Sequence, residues 1–269
     1  MKIYMPVDME GICGIACREQ TSRTGRLYQE GRALMAGDIN AAAQGAFDGG
    51  ADEVIAVDTH ADSFNFLIDQ IDPRVKQLLG NPTDCRFPLL DEHVDGVFLL
   101  GYHAMVGTKY GLHEHTMSSM QYHNVTVNGR TIGELGIDAG IAAQAGVPTV
   151  FVSGDDKVCL EAQTWLDKPE TACVKQSFGR QFALCLSPEE GRKRIYACAK
   201  KAVERLKAGE KFRLLQFEEP VTVQITYKHM EDADATGRDR NARRVDGFTV
   251  EKKYDRFCDW YGGLWADRR

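Results

Sequence analysis

Apolar residues along this chain fall into two rhythms. Short continuous runs, rich in β-branched residues and bounded by Gly, Asp or Pro, occur at residues 3–7, 53–57, 96–100 and 149–152. Runs of that length and composition predict buried strands. Between them, apolar positions recur at helical spacing. The clearest helix is expected over residues 28–47, stopped by the Gly49-Gly50 pair. A second is expected over residues 134–145, ending at Gly146. A third starts near Asp155, whose carboxylate suits an N-cap, and runs to residue 166. Ser187-Pro188-Glu189-Glu190 opens a fourth, reaching residue 207, with Ser as cap and Pro at the first helical position.

Strands alternating with helices predict an α/β fold: a mostly parallel sheet flanked by helices. Residues 122–132 depart from that pattern. Tyr-His-Asn-Val-Thr-Val, then Asn128-Gly129, then Arg-Thr-Ile, is a hairpin signal and predicts an antiparallel arm. After Phe212, strands are expected at residues 221–227 and 248–252. The charged stretch between them, residues 228–244, reads as a solvated helix or loop. The expected organisation is an α/β domain over residues 1–211 that carries the chemistry, and a smaller α+β part over residues 212–269. That part is either packed into the same unit or used in assembly. Trp260, Tyr261 and Trp265 lie in a late helical pattern, expected in the core.

Composition narrows the classes. The 269 residues are 43% hydrophobic and 27% charged, the balance of an ordinary globular protein. The net charge of -6 gives no basic footprint for nucleic acid. No run approaches the ~18 apolar residues of a spanning helix, so no membrane partner is expected. The chain enters a strand pattern at once, without a secretory leader. Its eight cysteines include no C-x-x-C pair and read as reduced thiols of a cytoplasmic protein.

Chemistry appears where the predicted strands stop. The first ends in Val7-Asp8-Met9-Glu10-Gly11, the second in Val57-Asp58-Thr59-His60, the third in Leu100-Gly101-Tyr102-His103. In an open parallel sheet, ligands bind beyond the carboxyl ends of the strands. Residues two apart on an extended segment face the same way, so Asp8 and Glu10 can point into one crevice. Carboxylate oxygens with imidazole nitrogens suit zinc, manganese or cobalt. Taken singly, Asp8 also reads as a turn cap, Glu10 as a solvated loop carboxylate, and His60 or His103 as a structural histidine. His113-Glu114-His115 can bind metal, or place one ring in the site and the other in solvent.

At this point the sequence resembles the DppA-type D-aminopeptidases, a zinc peptidase family. The resemblance is carried by Val7-Asp8-Met9-Glu10-Gly11-Ile12, Asp58-Thr59-His60, Leu99-Leu100-Gly101-Tyr102-His103-Ala104 and His115-Thr116-Met117. It continues through Gly133-Glu134-Leu135-Gly136, Gly154-Asp155-Asp156, Val174-Lys175-Gln176-Ser177 and Cys185-Leu186-Ser187-Pro188. It covers residues 1–200.

The resemblance implies two Zn²⁺ per subunit, with Mn²⁺ or Co²⁺ as alternatives. Asp8 would bridge them, Glu10, His60, His103 and Glu134 would complete the ligand set, and His115 would be the catalytic histidine. It also implies hydrolysis of the first amide bond of short peptides with D-Ala-like N-termini. The homo-oligomer it implies is built of pentameric rings stacked as a decamer. The residues alone also admit an L-aminopeptidase, another amidase, a phosphatase, or a protein that binds a small ligand or metal without turnover. Three further expectations follow. Asp58 would orient the His60 ring. Cys13, where the family pattern suggests a small hydroxyl residue, would be a buried inert thiol rather than an extra ligand. Lys175 and Arg180 would be surface residues.

Overall fold

The computed structural model describes residues 1–268. In chain order the first elements are β1 (Lys2–Val7), a short α1 (Arg18–Thr21), α2 (Tyr28–Gly49), β2 (Glu53–Asp58), β3 (Lys76–Leu78) and β4 (Gly96–Tyr102). A hairpin, β5 (Tyr122–Val127) and β6 (Arg130–Thr131), precedes α3 (Glu134–Gln144), β7 (Thr149–Asp155) and α4 (Asp156–Trp165). Then come β8 (Glu170–Gly179), β9 (Phe182–Cys185) and α5 (Pro188–Lys207). The chain closes with β10 (Val221–Tyr227), α6 (Met230–Gly237), β11 (Ala242–Arg244), β12 (Thr249–Tyr254) and two short 3-10 turns.

Seven strands form one sheet in the order β3-β2-β1-β4-β7-β8-β9, parallel except for β9 against β8. From β1 the chain winds outward through β2 and β3, then returns to β4 on the other side of β1 and winds the opposite way. The order therefore reverses between β1 and β4, which opens a crevice at the carboxyl ends of those two strands. The caps behave as their chemistry predicts. The Asp155 carboxylate accepts from Val158 N–H, and the Ser187 hydroxyl from Glu190 N–H. Strands β8 and β9 have no counterpart among the sequence expectations, because Lys175 and Gln176 break their apolar pattern.

β1 shows how the sheet is held. Ile3, Met5 and Val7 alternate onto one face, against Met35, Ile39 and Ala43 of α2 and Ile195, Ala199 and Val203 of α5. Tyr4 turns to the other face, into a second core with Ile137 and Ile141 of α3 and Val158 of α4. Each fully buried Ile or Met contributes about 1.5–3 kcal/mol.

A second, antiparallel sheet of five strands, β11-β12-β10-β5-β6, lies over that second core. The early hairpin pairs with β10 and so shares a sheet with the C-terminal strands. Its turn residues, Asn128 (φ 49°) and Gly129 (φ 77°), both take the left-handed conformation that a two-residue hairpin needs. Within the charged stretch the chain forms α6 and β11. Trp260 and Tyr261 pack, partly buried, on the second core. No helix among the described residues is long and apolar enough to cross a membrane.

Candidate metal centre

Two glycines bring the ends of β1 and β4 together. A Cβ on Gly11 would stand 1.9 Å from the Tyr102 carbonyl oxygen, and Gly101, at φ +72°, would press one against the Asp8 carbonyl at 2.3 Å. With no side chains there, Gly11 N–H reaches Gly101 O at 2.7 Å and Asp8 N–H reaches Leu100 O at 2.9 Å. Asp8 and Glu10 are thereby held beside His103. His60 arrives from the end of β2, and Glu134 from the first turn of α3.

The loop carrying His115 is held by backbone that L-residues rarely adopt, at His113 (φ 48°) and Met117 (φ 63°). Its ties are specific. Met117 N–H donates to Glu134 Oε1 at 2.8 Å, and the Thr116 hydroxyl to Ile132 O at 3.1 Å.

Three histidines and three carboxylates converge. Nδ1 of His60 lies 3.1 Å from Asp8 Oδ1 and 2.9 Å from Glu10 Oε2. Nε2 of His103 lies 3.3 Å from Asp8 Oδ2 and 3.6 Å from Glu134 Oε1. Nε2 of His115 lies 3.4 Å from Glu134 Oε1, and its ring stacks on that of His103, 4.2 Å between centroids.

Each histidine is oriented by a backbone carbonyl at its other nitrogen. These are Thr21 O for His60 Nε2 (3.0 Å), Ala104 O for His103 Nδ1 (2.9 Å) and His113 O for His115 Nδ1 (2.7 Å). That arrangement fixes the tautomer and aims the remaining nitrogen at the carboxylates.

The charges are costly as they stand. Burial, with Glu10 beside it, pushes the Asp8 carboxyl up to about 6. Burial also opposes charge on Glu10 and Glu134, yet the histidines outweigh it. His60 foremost holds Glu10 well below the usual carboxylate range, and His115 foremost holds Glu134 at about 2. Burial disfavours imidazolium at His60 and His103, and the facing carboxylates overcome it, raising both well above the ordinary value.

Asp8 Oδ2, Glu10 Oε2 and His103 Nε2 are buried without a hydrogen-bond partner among the described residues. Buried polar atoms normally have one, so three converging orphans fit a cation. Two donor groups tight enough to hold one exist among the described residues: Asp8 with Glu10 and His103, and His103 with His115 and Glu134. A cavity of about 750 Å³ opens from this cluster, and Asn81, Arg86 and Tyr261 also line it.

Several neighbours differ from expectation. Asp58 does not touch the His60 ring. It accepts from His60 N–H at 3.2 Å and from the Asn65 side chain at 2.9 Å, so it shapes the loop rather than the imidazole. His113 does not face solvent: it is buried, and burial pushes its imidazole down to about 4. Lys175 is not a surface residue. Its ammonium is buried and donates to Glu10 O (2.7 Å), Ile12 O (2.7 Å) and Ile15 O (2.6 Å), clasping the loop that carries Glu10. A lysine within an extended strand gave no sequence signal for that role. Arg180 is exposed and pairs with Glu114. Cys13 turns away from the cluster towards Leu186 O and Ser187 O, and burial pushes its thiol up to about 12.

Known proteins place these features in context. Residues 1–266 match the model of a peptidase family described as D-aminopeptidase. A D-aminopeptidase of Bacillus subtilis (strain 168) is 35% identical over 189 residues, covering 70% of this chain and 68% of that protein. Among solved structures, the Zn-dependent D-aminopeptidase DppA from Bacillus subtilis, described as a self-compartmentalizing protease, superposes with a TM-score of 0.90. It is 28% identical, with 97% of this chain and 94% of that chain covered.

Proposed function

This chain belongs to the D-aminopeptidase family, and from that premise we propose that it is a zinc-dependent aminopeptidase with a two-metal centre, releasing D-alanine-like residues from the N-termini of short peptides. The observation that carries the two-metal reading is the position of Asp8. Its Oδ1 lies beside His60, which also reaches Glu10, and its Oδ2 lies beside His103, which also reaches Glu134. One carboxylate between two donor sets suits a bridging ligand. Glu10, His60, His103 and Glu134 would complete the coordination, with manganese or cobalt as substitutes for zinc. When bound, zinc supplies Lewis acidity to a peptide carbonyl and makes water acidic enough to act near neutral pH.

The protein's own groups supply the rest. His115 donates its Nδ1 proton to His113 O, so Nε2 is the atom that can hand a proton to the leaving amine. Glu134, 3.4 Å from that nitrogen, steadies the protonated ring. The cavity receives the peptide at its carboxylate end, where an N-terminal ammonium finds opposite charge. Lys175 fixes the loop that presents Glu10.

The structural relative is a self-compartmentalizing protease, and we extend homo-oligomeric assembly, as stacked pentameric rings, to this chain. Phe182 and Leu184, exposed on the edge strand β9, support a covered edge in such an assembly. The eight free cysteines agree with a reducing, cytoplasmic setting.

The test compares metal-free and zinc-loaded protein on D-Ala and L-Ala p-nitroanilides and dipeptides, beside His115→Ala. Zinc-dependent release of the D-residue is expected, reduced about 10²- to 10⁴-fold in the variant with both metals retained. Loss of one metal in the variant would make His115 a ligand instead, which its grouping with His103 and Glu134 would allow. Faster release of L-alanine would remove the D-preference. No hydrolysis with two metals bound would end the peptidase reading.

A further inference from the structure

Away from the metal cluster, two thiols meet where α4 lies against β8. Cys159 of α4 is buried in the second core, and Cys173 of β8 packs against that core, partly buried. Their side chains share a hydrogen bond. Cys173 Sγ also reaches Lys175 O at 3.3 Å. The pairing of β7 with β8 slips by one residue here: Gly154 opposes Cys173, and Asp155 opposes Lys175. Cys173 and Lys175 thus bracket a bulge, a device that re-aims a side chain. The side chain re-aimed is that of Lys175, whose ammonium clasps Glu10 O, Ile12 O and Ile15 O.

The two thiols are unequal. The bond from Cys159 holds the Cys173 thiol down at about 7 against its burial, and the same bond, with burial, raises Cys159 well above its ordinary value. One partner is therefore the readier thiolate. The other stands in reach as the thiol that resolves it, which is the arrangement of redox-sensing pairs. A second tie joins the same two elements: Ser177 N–H donates to Asp156 Oδ1 at 2.9 Å. A change at Cys173 is thus passed along β8 towards Lys175 rather than taken up by free movement of α4.

We propose that Cys159 and Cys173 form a reversible disulfide in the presence of a peroxide, and that this crosslink loosens the Lys175 clasp on the loop carrying Glu10. The Cys173 thiolate attacks one oxygen of hydrogen peroxide. The O–O bond breaks, and the departing hydroxide takes up the proton that Cys173 lost and becomes water. The sulfur of Cys159 then attacks the sulfenic sulfur. The S–O bond breaks, and the departing hydroxide leaves as a second water with the Cys159 proton. Two thiols give up two electrons, and the peroxide is reduced to two waters. Drawing the sulfurs to about 2.05 Å removes the S–H that Cys173 directs at Lys175 O and pulls on the first residue of the bulge. The crosslink itself needs no assumption about the reaction, whereas its effect on catalysis rests on the metallopeptidase reading above.

The experiment exposes the zinc-loaded protein to hydrogen peroxide, blocks the free thiols and maps disulfides by peptide mass spectrometry. Zinc affinity and hydrolysis of D-Ala p-nitroanilide are measured before and after. A Cys159–Cys173 crosslink is expected, with zinc affinity or kcat/KM reduced about 10- to 100-fold, the cost of losing an outer support, and restored by dithiothreitol. Cys173→Ser keeps a hydroxyl for Lys175 O, so it should match the untreated protein and hold that activity in peroxide. Cys159→Ala should instead stop at the sulfenic acid of Cys173, trapped by dimedone. Both thiols left free while peroxide oxidises other cysteines would overturn the pair. A crosslink with unchanged zinc affinity and unchanged kinetics would overturn its link to Lys175. If the reduced protein hydrolyses no substrate, the peptidase reading falls, and zinc affinity alone then decides the switch.

Discussion

Glu134 and Asp138 are both carboxylates on α3, both buried, and one turn apart, but their surroundings differ. Both oxygens of Asp138 are paired: Arg86 donates to each, and the Tyr102 hydroxyl to Oδ2. Around Glu134 the groups crowd and only some of them pair. Asp8 Oδ2, Glu10 Oε2 and His103 Nε2 have no hydrogen-bond partner among the described residues. A satisfied buried pair rigidifies its neighbourhood, whereas an unsatisfied cluster is a cost that only a ligand can offset. Two patches of similar burial and charge are therefore opposite in kind.

The sharpest way to break that comparison is Asp8→Ala. Zinc binding, read by elemental analysis, and all peptide hydrolysis are expected to vanish, while the metal-free protein gains stability because one crowded carboxylate has gone. A lowered Tm of the metal-free variant would mean that the cluster is self-satisfied, and the contrast with Asp138 would fail.

Lys175→Met comes next. It unties the loop bearing Glu10 without touching a ligand, so metal affinity or kcat/KM should fall about 10- to 100-fold, the usual cost of losing an outer support. An unchanged zinc affinity together with unchanged kinetics would show that the loop holds itself.

Asp138→Ala probes the satisfied side. It leaves a largely buried guanidinium without its carboxylate and should cost about 3 kcal/mol, seen as a lower midpoint in urea, with zinc still bound. Loss of the metal in this variant would show the two patches to be one.

The smallest effect belongs to Asp38, an intermediate case on the other face of the sheet. Its Oδ2 accepts from Cys13 N–H at 2.9 Å, its Oδ1 has no hydrogen-bond partner among the described residues, and Arg192 stands 3.8 Å away. Burial pushes this carboxyl up to about 7. A raised folded-state value means that stability is fully present below about pH 4, the unfolded value, and is lost as pH rises towards 7. Asp38→Asn should flatten the dependence of Tm on pH across that window. An unaltered slope would assign the titration to another group.

Much of this could be read from the chain. The apolar runs of β1, β2, β4 and β7 marked a parallel sheet because buried strands are short, continuous and β-branched. Asp155 and Ser187 marked helix starts, and Asn128-Gly129 marked a turn, because each effect acts within a few residues. That Asp8, Glu10, His60 and His103 follow strand ends was equally visible, since a parallel sheet gathers those ends at one edge. The convergence of all six side chains, and the position of Asp8 between two donor sets, needed coordinates.

Other features left no local trace. Lys175 looked like a surface residue, because nothing near it in sequence reveals the three carbonyls of residues 10–15 that its ammonium meets. Asp58 looked like a partner for the His60 ring, and the ring instead found Thr21 O, from a segment 39 residues away in the chain. Arg86 and Asp138 are 52 residues apart and carry no motif.

The sequence by itself determined the strands, the caps and the residue types at the strand ends, since these follow from periodicity and from bonds between near neighbours. Only the tertiary structure decided which polar groups found partners and which were left facing a cavity. Satisfaction of a buried charge depends on distant segments meeting within about 3 Å, and no local pattern encodes that distance.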